Sequence, residues 1–188
     1  QFFIKPGTEM EWYEHWKKIR LSWHLSLGLG KEKYRFHDHL KLAHYANAAC
    51  DIEFEFPFGY KELEGIHSRT DFDLKQHEQF SGKRLQYFDP ELNQSYVPFV
   101  IETSVGLDRL FLSVLSSAFK IEKLEGDETR TVMSLPAALA PYKAAIFPLL
   151  KKDGLPELSE SIMNSLKFDF NLAYDEKDTI GKRYRRHD

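Results

Sequence analysis

The segment that most constrains the fold is residues 50–69, "CDIEFEFPFGYKELEGIHSR". Apolar and acidic residues alternate in "DIEFEF", and this period of two is typical of a strand with one solvent-exposed face. Pro57 and Gly59 then bend the chain, and "KELEGIHSR" is expected to return as the partner strand. The segment therefore predicts a β-hairpin within an antiparallel sheet.

Several helices are predicted around this hairpin. Thr8 lies three residues before Glu11, as in a capping box, and a helix with packing tryptophans is expected from there to Gly28. The segments "HDHLKLAHYANAA" and "TDFDLKQHEQFSG" are also predicted to be helical, the second ending at Gly82. Two further strands are expected at "RLQYFD" and "SYVPFVIETS".

A strand-to-helix junction follows in "VIETSVGLDRLFLSVLSSAFK". Arg109 falls in the first turn of that helix, where the helix dipole favours anions, and an exposed cation there costs about 0.3–1 kcal/mol. An arginine at this place therefore suggests an anionic ligand. The apolar residues of the helix predict a buried face made of Leu107, Leu110, Phe111, Val114, Leu115 and Phe119.

The composition changes at "IEKLEGDETR", a charged segment with one glycine that is predicted to be a domain boundary or linker. Beyond it the order strand, strand, helix, strand, helix indicates an α/β unit with parallel pairing. The expected fold class is α+β. Residues 1–126 would form helices on an antiparallel sheet, and residues 127–188 the start of an α/β domain.

The charge pattern limits the partners of the chain. A formal net charge of −3 argues against a general nucleic-acid binder. Four basic residues near the end would either contact phosphate backbones or form a solvated helix face, and the sequence leaves both open. These residues are Lys182, Arg183, Arg185 and Arg186.

The single cysteine, Cys50, excludes an internal disulfide and favours a reducing, cytosolic compartment. His37, His39 and His44 lie close together, but without a neighbouring cysteine or a His-Glu-x-x-His pair no protein zinc site is predicted. The sequence also contains no P-loop, no Gly-x-Gly-x-x-Gly and no Gly-x-Ser-x-Gly motif. No run of apolar residues reaches the length of a membrane helix.

Carboxylates are the more informative group. Glu62 and Glu64 are two apart on one predicted strand and are expected to point to the same face, as are Glu102 and Ser104. With arginines nearby, such carboxylates suit a substrate that carries both an ammonium group and anionic oxygens. Structural ion pairs are the alternative, and the pattern does not decide between them. The arginines are Arg69 and Arg109.

Several strings carry a family resemblance. "GLDR" resembles motif 3 of class II aminoacyl-tRNA synthetases. Together with "LAHYANAACDIEFEFPFGYKELEGIHSRTDFDLKQH", "LPAALAPYKAAIFPLLKKDGL" and "TIGKRYRRHD", it resembles bacterial glycyl-tRNA synthetases of the homodimeric type. The resemblance covers essentially the whole chain.

The resemblance implies a class II antiparallel sheet flanked by helices, followed by an α/β anticodon-binding domain. It implies ligase activity in which glycine and ATP give glycyl-adenylate and the glycyl group passes to tRNA(Gly), with Mg²⁺ as cofactor. It further implies a cytoplasmic homodimer without a membrane partner. Because glycine has no side chain, such a site must bind its ammonium group and exclude larger amino acids.

The resemblance also assigns residues. The ATP-binding residues would be Glu62, Leu63, Gly106, Leu107, Asp108 and Arg109. The glycine-binding residues would be Glu102, Thr103, Ser104, Val105 and Gly106. Arg69 would contact the substrate, and tRNA would be contacted by Lys182, Arg183, Arg185 and Arg186.

Two motifs of the class are missing from these 188 residues, namely motif 1 and the motif 2 arginine. The abrupt start at "QFFIK" is interpreted as the start of a piece of a longer protein, and the 188 residues alone are expected to be inactive. The main alternative is a non-catalytic accessory subunit on a synthetase-like scaffold, in which the motif 3 residues should be degraded. A class II synthetase for another amino acid is the third hypothesis.

Overall fold

The computed structural model describes residues 1–187, which divide into two compact units, Gln1–Ser117 and a second unit that begins at Ala118. The first unit contains three α-helices, a short 3₁₀ turn (Lys31–Lys33) and seven strands. They are β1 (Phe2–Ile4), α1 (Glu9–Ser26), β2 (Tyr34–Asp38), β3 (Ala48–Phe56), β4 (Gly59–Ser68), α2 (Phe72–Ser81), β5 (Tyr87–Asp89), β6 (Gln94–Tyr96), β7 (Phe99–Val105) and α3 (Leu107–Ala118).

Five of these strands form an antiparallel sheet in the order β1-β7-β4-β3-β2, and β5 and β6 form a separate two-stranded ribbon. The predicted hairpin is confirmed as β3 and β4. One face of the sheet packs against α1 and carries the buried apolar residues Ile52, Phe54 and Ile66. The opposite face carries mostly polar residues, and the candidate site lies there.

Helix α1 matches its predicted extent, but the capping box does not form. Thr8 is the cap residue, yet its hydroxyl donates to the carbonyl of Lys5, and the Gly7 amide donates to Glu9 at 2.7 Å. The predicted packing role holds for Trp12 and Trp16, whose rings lie 4.7 and 5.4 Å from the ring of Phe2. The helix is therefore held against β1 by aromatic packing.

The prediction of a helix at "HDHLKLAHYANAA" is wrong. His37 and Asp38 belong to β2 and pair with Asp51 and Cys50, and the His39 amide extends this pairing to the carbonyl of Ala49. Cross-strand hydrogen bonds and burial outweigh a modest local helical preference. The residues after Asp38 run as turns and loop to Ala48.

The apolar face of α3 is not buried as predicted. Leu107 is 75% and Phe111 63% exposed, whereas the buried residues of this helix are Ser113 and Ala118. Periodicity shows that a helix is amphipathic but does not show which neighbour covers its apolar face. In this unit it is α1 that packs on β3, β4 and β7.

The second unit begins with a strand at Phe119–Lys123 that was not predicted, and beyond it the predicted order of elements and the parallel pairing are confirmed. Its elements are β8 (Phe119–Lys123), β9 (Thr129–Met133), β10 (Ala144–Ile146), α4 (Leu155–Leu166), β11 (Leu172–Tyr174) and α5 (Ile180–His187). Strands β10 and β11 are parallel, with α4 between them in the chain, and β8 and β9 form an antiparallel hairpin. The charged segment predicted as a linker is this hairpin and its turn.

Candidate functional site

A β-bulge in β4 fixes which carboxylate reaches the site. Ile52 of β3 pairs with Glu64 and the next residue, Glu53, pairs with Glu62, so that Leu63 is the extra residue. Glu62 and Glu64 therefore point to opposite faces of the sheet, and the prediction that they share a face is wrong. The alternation of residue types does not reveal a bulge, because the extra residue is simply another apolar residue.

Glu64 is buried on the face that α1 covers. Arg20 donates to it through Nε at 2.6 Å and Nη2 at 3.1 Å, and Nε2 of His24 lies 2.7 Å from the second oxygen. Burial raises the pKa of Glu64, but hydrogen bonds and charge from His24 and Arg20 outweigh it, so the net pKa is lowered. This cluster of Arg20, His24 and Glu64 ties α1 to β4 directly behind the bulge.

On the other face, Arg109 connects the start of α3 to the bulge. Its Nη1 donates to the carbonyl oxygen of Glu62 at 2.7 Å and to the Glu62 carboxylate at 3.2 Å. The Gly106 amide donates to the carbonyl of Leu63 at 3.1 Å. The arginine in the first turn of α3 thus has a carboxylate partner within the protein, and both side chains are 52% exposed.

An open cavity of about 580 Å³ lies at this junction. It is lined by all six residues predicted to bind ATP, one of which is also predicted to bind glycine, and by two further residues predicted to bind glycine. They are Glu62, Leu63, Ser104, Val105, Gly106, Leu107, Asp108 and Arg109. At Gly106 a Cβ atom would make ordinary contacts with the Arg109 side chain, 3.7–3.8 Å away, so the fold itself does not require glycine there.

Glu102 lies on the polar face of β7 and is held by Arg69. Nη1 of Arg69 donates to Oε1 of Glu102 at 3.0 Å, while its Nε and Nη2 bind Asp73 at 2.7 and 3.2 Å. The guanidinium also lies over the ring of Tyr45, 4.1 Å from its centre. One oxygen of Glu102 is thereby committed, and the other accepts a long hydrogen bond of 3.4 Å from the Gln1 amide.

The chain is 49% identical to glycine--tRNA ligase of Chlorobaculum tepidum over 189 residues and 52% identical to that of Clostridium tetani over 190 residues. The whole chain aligns in both cases. The chain is therefore similar, along its whole length, to part of these glycine--tRNA ligases. It spans about 40% of the length of these relatives, and no family model matches it.

The structure is similar to prolyl-tRNA synthetase from Giardia lamblia, solved with prolyl-adenylate, with a TM-score of 0.57 and 13% identity. The match covers 96% of this chain and 36% of that protein. At this identity the likeness concerns the fold, and it confirms the predicted class II synthetase architecture.

The residues predicted to bind glycine do not all share one surface. In the register of β4 and β7, Ser104 lies opposite Gly65 and Glu102 opposite His67, which places these four residues on the polar face. Thr103 pairs with Ile66, a core residue, and lines a small cavity on the α1 side. Successive side chains of a strand point to opposite faces, so residues that are consecutive in the motif do not all reach the same surface.

The predicted tRNA-contacting residues also separate. Arg183 is buried, and its guanidinium donates to four main-chain carbonyls, those of Pro148, Glu176, Lys177 and Asp178. Arg186 pairs with Asp175 at 2.6 Å and Asp178 at 2.9 Å. This geometry corrects the prediction for Arg183, which holds the loop before α5 in place. Lys182 and Arg185 remain exposed.

Sequence reasoning missed Gly65, His67, Asp51 and His39 of the polar face. Nε2 of His39 lies 2.9 Å from Asp51, and the His39 ring meets the His67 ring edge-on at 5.9 Å between centres. No spacing signal marks these residues, since they come from three segments of the chain. Only the strand register brings them beside Glu102 and Ser104.

Proposed function

We propose that the protein containing this chain is a glycine–tRNA ligase. It activates glycine with ATP to glycyl-adenylate and transfers the glycyl group to the 3′ end of tRNA(Gly). The observation that carries the proposal is the identity of about 50% to glycine--tRNA ligases along the whole chain. The grouping of the motif residues around one cavity supports it.

The nucleotide would bind at the cavity where α3 begins. Arg109 offers a permanent charge and a flat guanidinium, which can stack on adenine or bind phosphate oxygens. The amino end of α3 favours the same negative charge. An incoming triphosphate would compete with Glu62 for Arg109, and the pair is half-exposed and therefore weak enough to be exchanged.

Glycine would bind beside the nucleotide on the polar face. The Glu102 oxygen that Arg69 does not occupy can accept a hydrogen bond from the glycine ammonium group, and Ser104 lies two residues along on the same face. Arg69 fixes the carboxylate through the first oxygen, and the second accepts only the long hydrogen bond of 3.4 Å from the Gln1 amide. In this arrangement Arg69 positions Glu102.

The chemistry requires placement and charge stabilisation, with no covalent protein intermediate. A carboxylate oxygen of glycine attacks the α-phosphorus in line, the new P–O bond gives glycyl-adenylate, and pyrophosphate leaves. The terminal hydroxyl of tRNA(Gly) then attacks the glycyl carbonyl, and AMP leaves. Arg109 would stabilise negative charge that develops on the phosphate oxygens in the first step.

Mg²⁺ would bind at this site together with the nucleotide. Among residues 1–187, no group of three or more histidine, cysteine, aspartate or glutamate side chains is placed to hold a metal ion. Mg²⁺ usually binds through one or two carboxylates together with substrate phosphates. The carboxylates that line the cavity, Glu62 and Asp108, supply such oxygens. When bound, the ion would neutralise phosphate charge.

The proposal also covers tRNA binding, the oligomeric state and the cellular compartment. The 118–187 unit would be the start of the α/β anticodon-binding domain, and its exposed Lys182 and Arg185 would contact tRNA(Gly). We further propose a homodimer in the cytoplasm. No helix within residues 1–187 is long and apolar enough to cross a membrane.

Charging of tRNA tests the proposed function. The complete protein encoded by the gene that carries this sequence is incubated with total tRNA, ATP and labelled glycine, and with labelled alanine as the matched control. We expect acid-precipitable label with glycine only. A folded protein that charges no tRNA would instead support the non-catalytic accessory role, and charging with a different amino acid would support the third hypothesis.

A further inference from the structure

We propose that the imidazole of His67, lying over Gly65, is the wall that excludes amino acids larger than glycine. This inference rests on the proposed function, because it assigns the specificity of the same site. It concerns two residues, neither of which is among those that the resemblance assigns to ATP or glycine binding. Their role follows from the strand register, the space above Gly65 and the contacts of the imidazole ring.

The register places the wall beside the proposed glycine site. Gly65 of β4 lies directly opposite Ser104 of β7, and His67 lies directly opposite Glu102. Residues that face each other across antiparallel strands point to the same side, with Cβ atoms about 4.5–5.5 Å apart. The four residues therefore form one block on the polar face.

The ring of His67 fills the space over Gly65. A Cβ atom built on Gly65 would lie 2.8 Å from Cε1 of His67 and 3.6 Å from Oδ1 of Asp51. The first distance is too short for any real contact, so the glycine is needed for the ring to lie where it does. The ring occupies volume next to Ser104 that would otherwise be open to a substrate side chain.

Two neighbours hold the ring in this position. The His39 ring meets it edge-on, and Asp51 holds His39 at 2.9 Å. Asp51 in turn is the cross-strand partner of Gly65. The imidazole therefore lies between its own strand, His39 and Glu102, which makes it a fixed wall.

The charge of the ring also suits a site for an ammonium group. Burial lowers the pKa of His67, and the charges of His39 and Arg69 lower it further, while Glu102 and Asp51 oppose the shift. The net lowering keeps the ring neutral at neutral pH. Its Nδ1 lies 4.0 Å from Glu102 and has no hydrogen-bond partner within residues 1–187. A neutral ring does not compete with glycine for the Glu102 carboxylate.

A double-mutant cycle tests the wall. In the complete protein, kcat/KM for ATP–pyrophosphate exchange is measured with glycine and with alanine for wild type, His67→Ala, Gly65→Ala and the double variant. We expect His67→Ala to narrow the preference for glycine over alanine by about 10-fold or more, because one methyl group in a pocket is worth about 10–200-fold. The conservative His67→Gln, which keeps most of the volume, should narrow it less.

Gly65→Ala is expected to act in the opposite direction. Its Cβ would push the ring towards the substrate, so kcat/KM for glycine should fall about 10-fold or more without a gain for alanine. In the double variant the imidazole ring is absent and the new Cβ atom has room. The kcat/KM for glycine should therefore recover. The two positions are then coupled rather than additive.

These measurements distinguish failure of the His67 wall from failure of the proposed glycine–tRNA ligase function. An unchanged ratio of glycine to alanine in a folded His67→Ala variant would overturn the wall. If that variant does not fold, unchanged glycine kinetics in Gly65→Ala would do the same. Failure of the proposed function appears elsewhere, as absence of glycine-dependent exchange in the wild-type protein.

Discussion

Arg109→Ala is expected to reduce glycine-dependent ATP–pyrophosphate exchange by about 100-fold or more, the usual loss when one group that stabilises developing charge is removed. Arg109 lies at the cavity where the bulge of β4 meets the start of α3. Its guanidinium donates hydrogen bonds to the main-chain carbonyl and to the carboxylate of Glu62. The measurement is exchange by the complete protein at saturating glycine, with ATP varied.

The fold should survive this change. The Arg109–Glu62 pair is half-exposed, and such pairs contribute about 0–1 kcal/mol to stability. Lys18→Ala is the matched control, because Lys18 is an exposed cation on α1, which covers the other face of the sheet. It should leave exchange unchanged. Wild-type exchange by a folded Arg109→Ala variant would remove this residue from the site.

Glu64→Gln is expected to lower the free energy of unfolding by about 3–5 kcal/mol, the cost of breaking a buried ion pair by removing one partner. Glu64 is fully buried and accepts from Arg20 and His24, so the variant leaves a guanidinium without its carboxylate. Urea unfolding measures the loss. Glu55→Gln, an exposed position on neighbouring β3, is the control and should change stability by less than about 0.5 kcal/mol.

The pH dependence of unfolding gives this prediction a second readout. The pKa of Glu64 is lowered in the folded protein, so its contribution to stability is fully present above the unfolded pKa of a glutamate. It is lost as the pH falls through the lowered folded value. The Glu64→Gln variant should lack this component of acid destabilisation. Equal acid sensitivity in both proteins, or a loss of stability below about 1 kcal/mol, would show that Glu64 contributes little.

The parts of the fold that the sequence predicts are those set by local patterns. The hairpin at Pro57 and Gly59, the helix before Gly82 and the parallel pair around α4 each follow from residues close together in the chain. The exposed face of α3 and the strand at His37 depend on which distant element is available as a partner. Such competition between partners leaves no local signature.

The candidate site divides in the same way. Six of the eight residues that line the cavity at Arg109, residues 104–109, come from a strand end, a turn and a helix start that adjoin in sequence, which is why a short motif marks them. The other two, Glu62 and Leu63, come from the bulge of β4. The wall at His67 depends on the pairing of β4 with β7, and the burial of Glu64 depends on a one-residue bulge. A shift of one residue reverses the face of a strand side chain. Neither could therefore be read from spacing alone.

Amino-acid-dependent ATP–pyrophosphate exchange by the complete protein shows whether this site activates glycine with ATP. Each of the standard amino acids is supplied in turn with ATP, Mg²⁺ and labelled pyrophosphate. Glycine should stimulate exchange. The exchange rate with alanine or serine should be lower by about 100-fold or more, because each adds a side chain that the pocket excludes. If a folded protein performs exchange best with another amino acid, or with none, the site does not activate glycine.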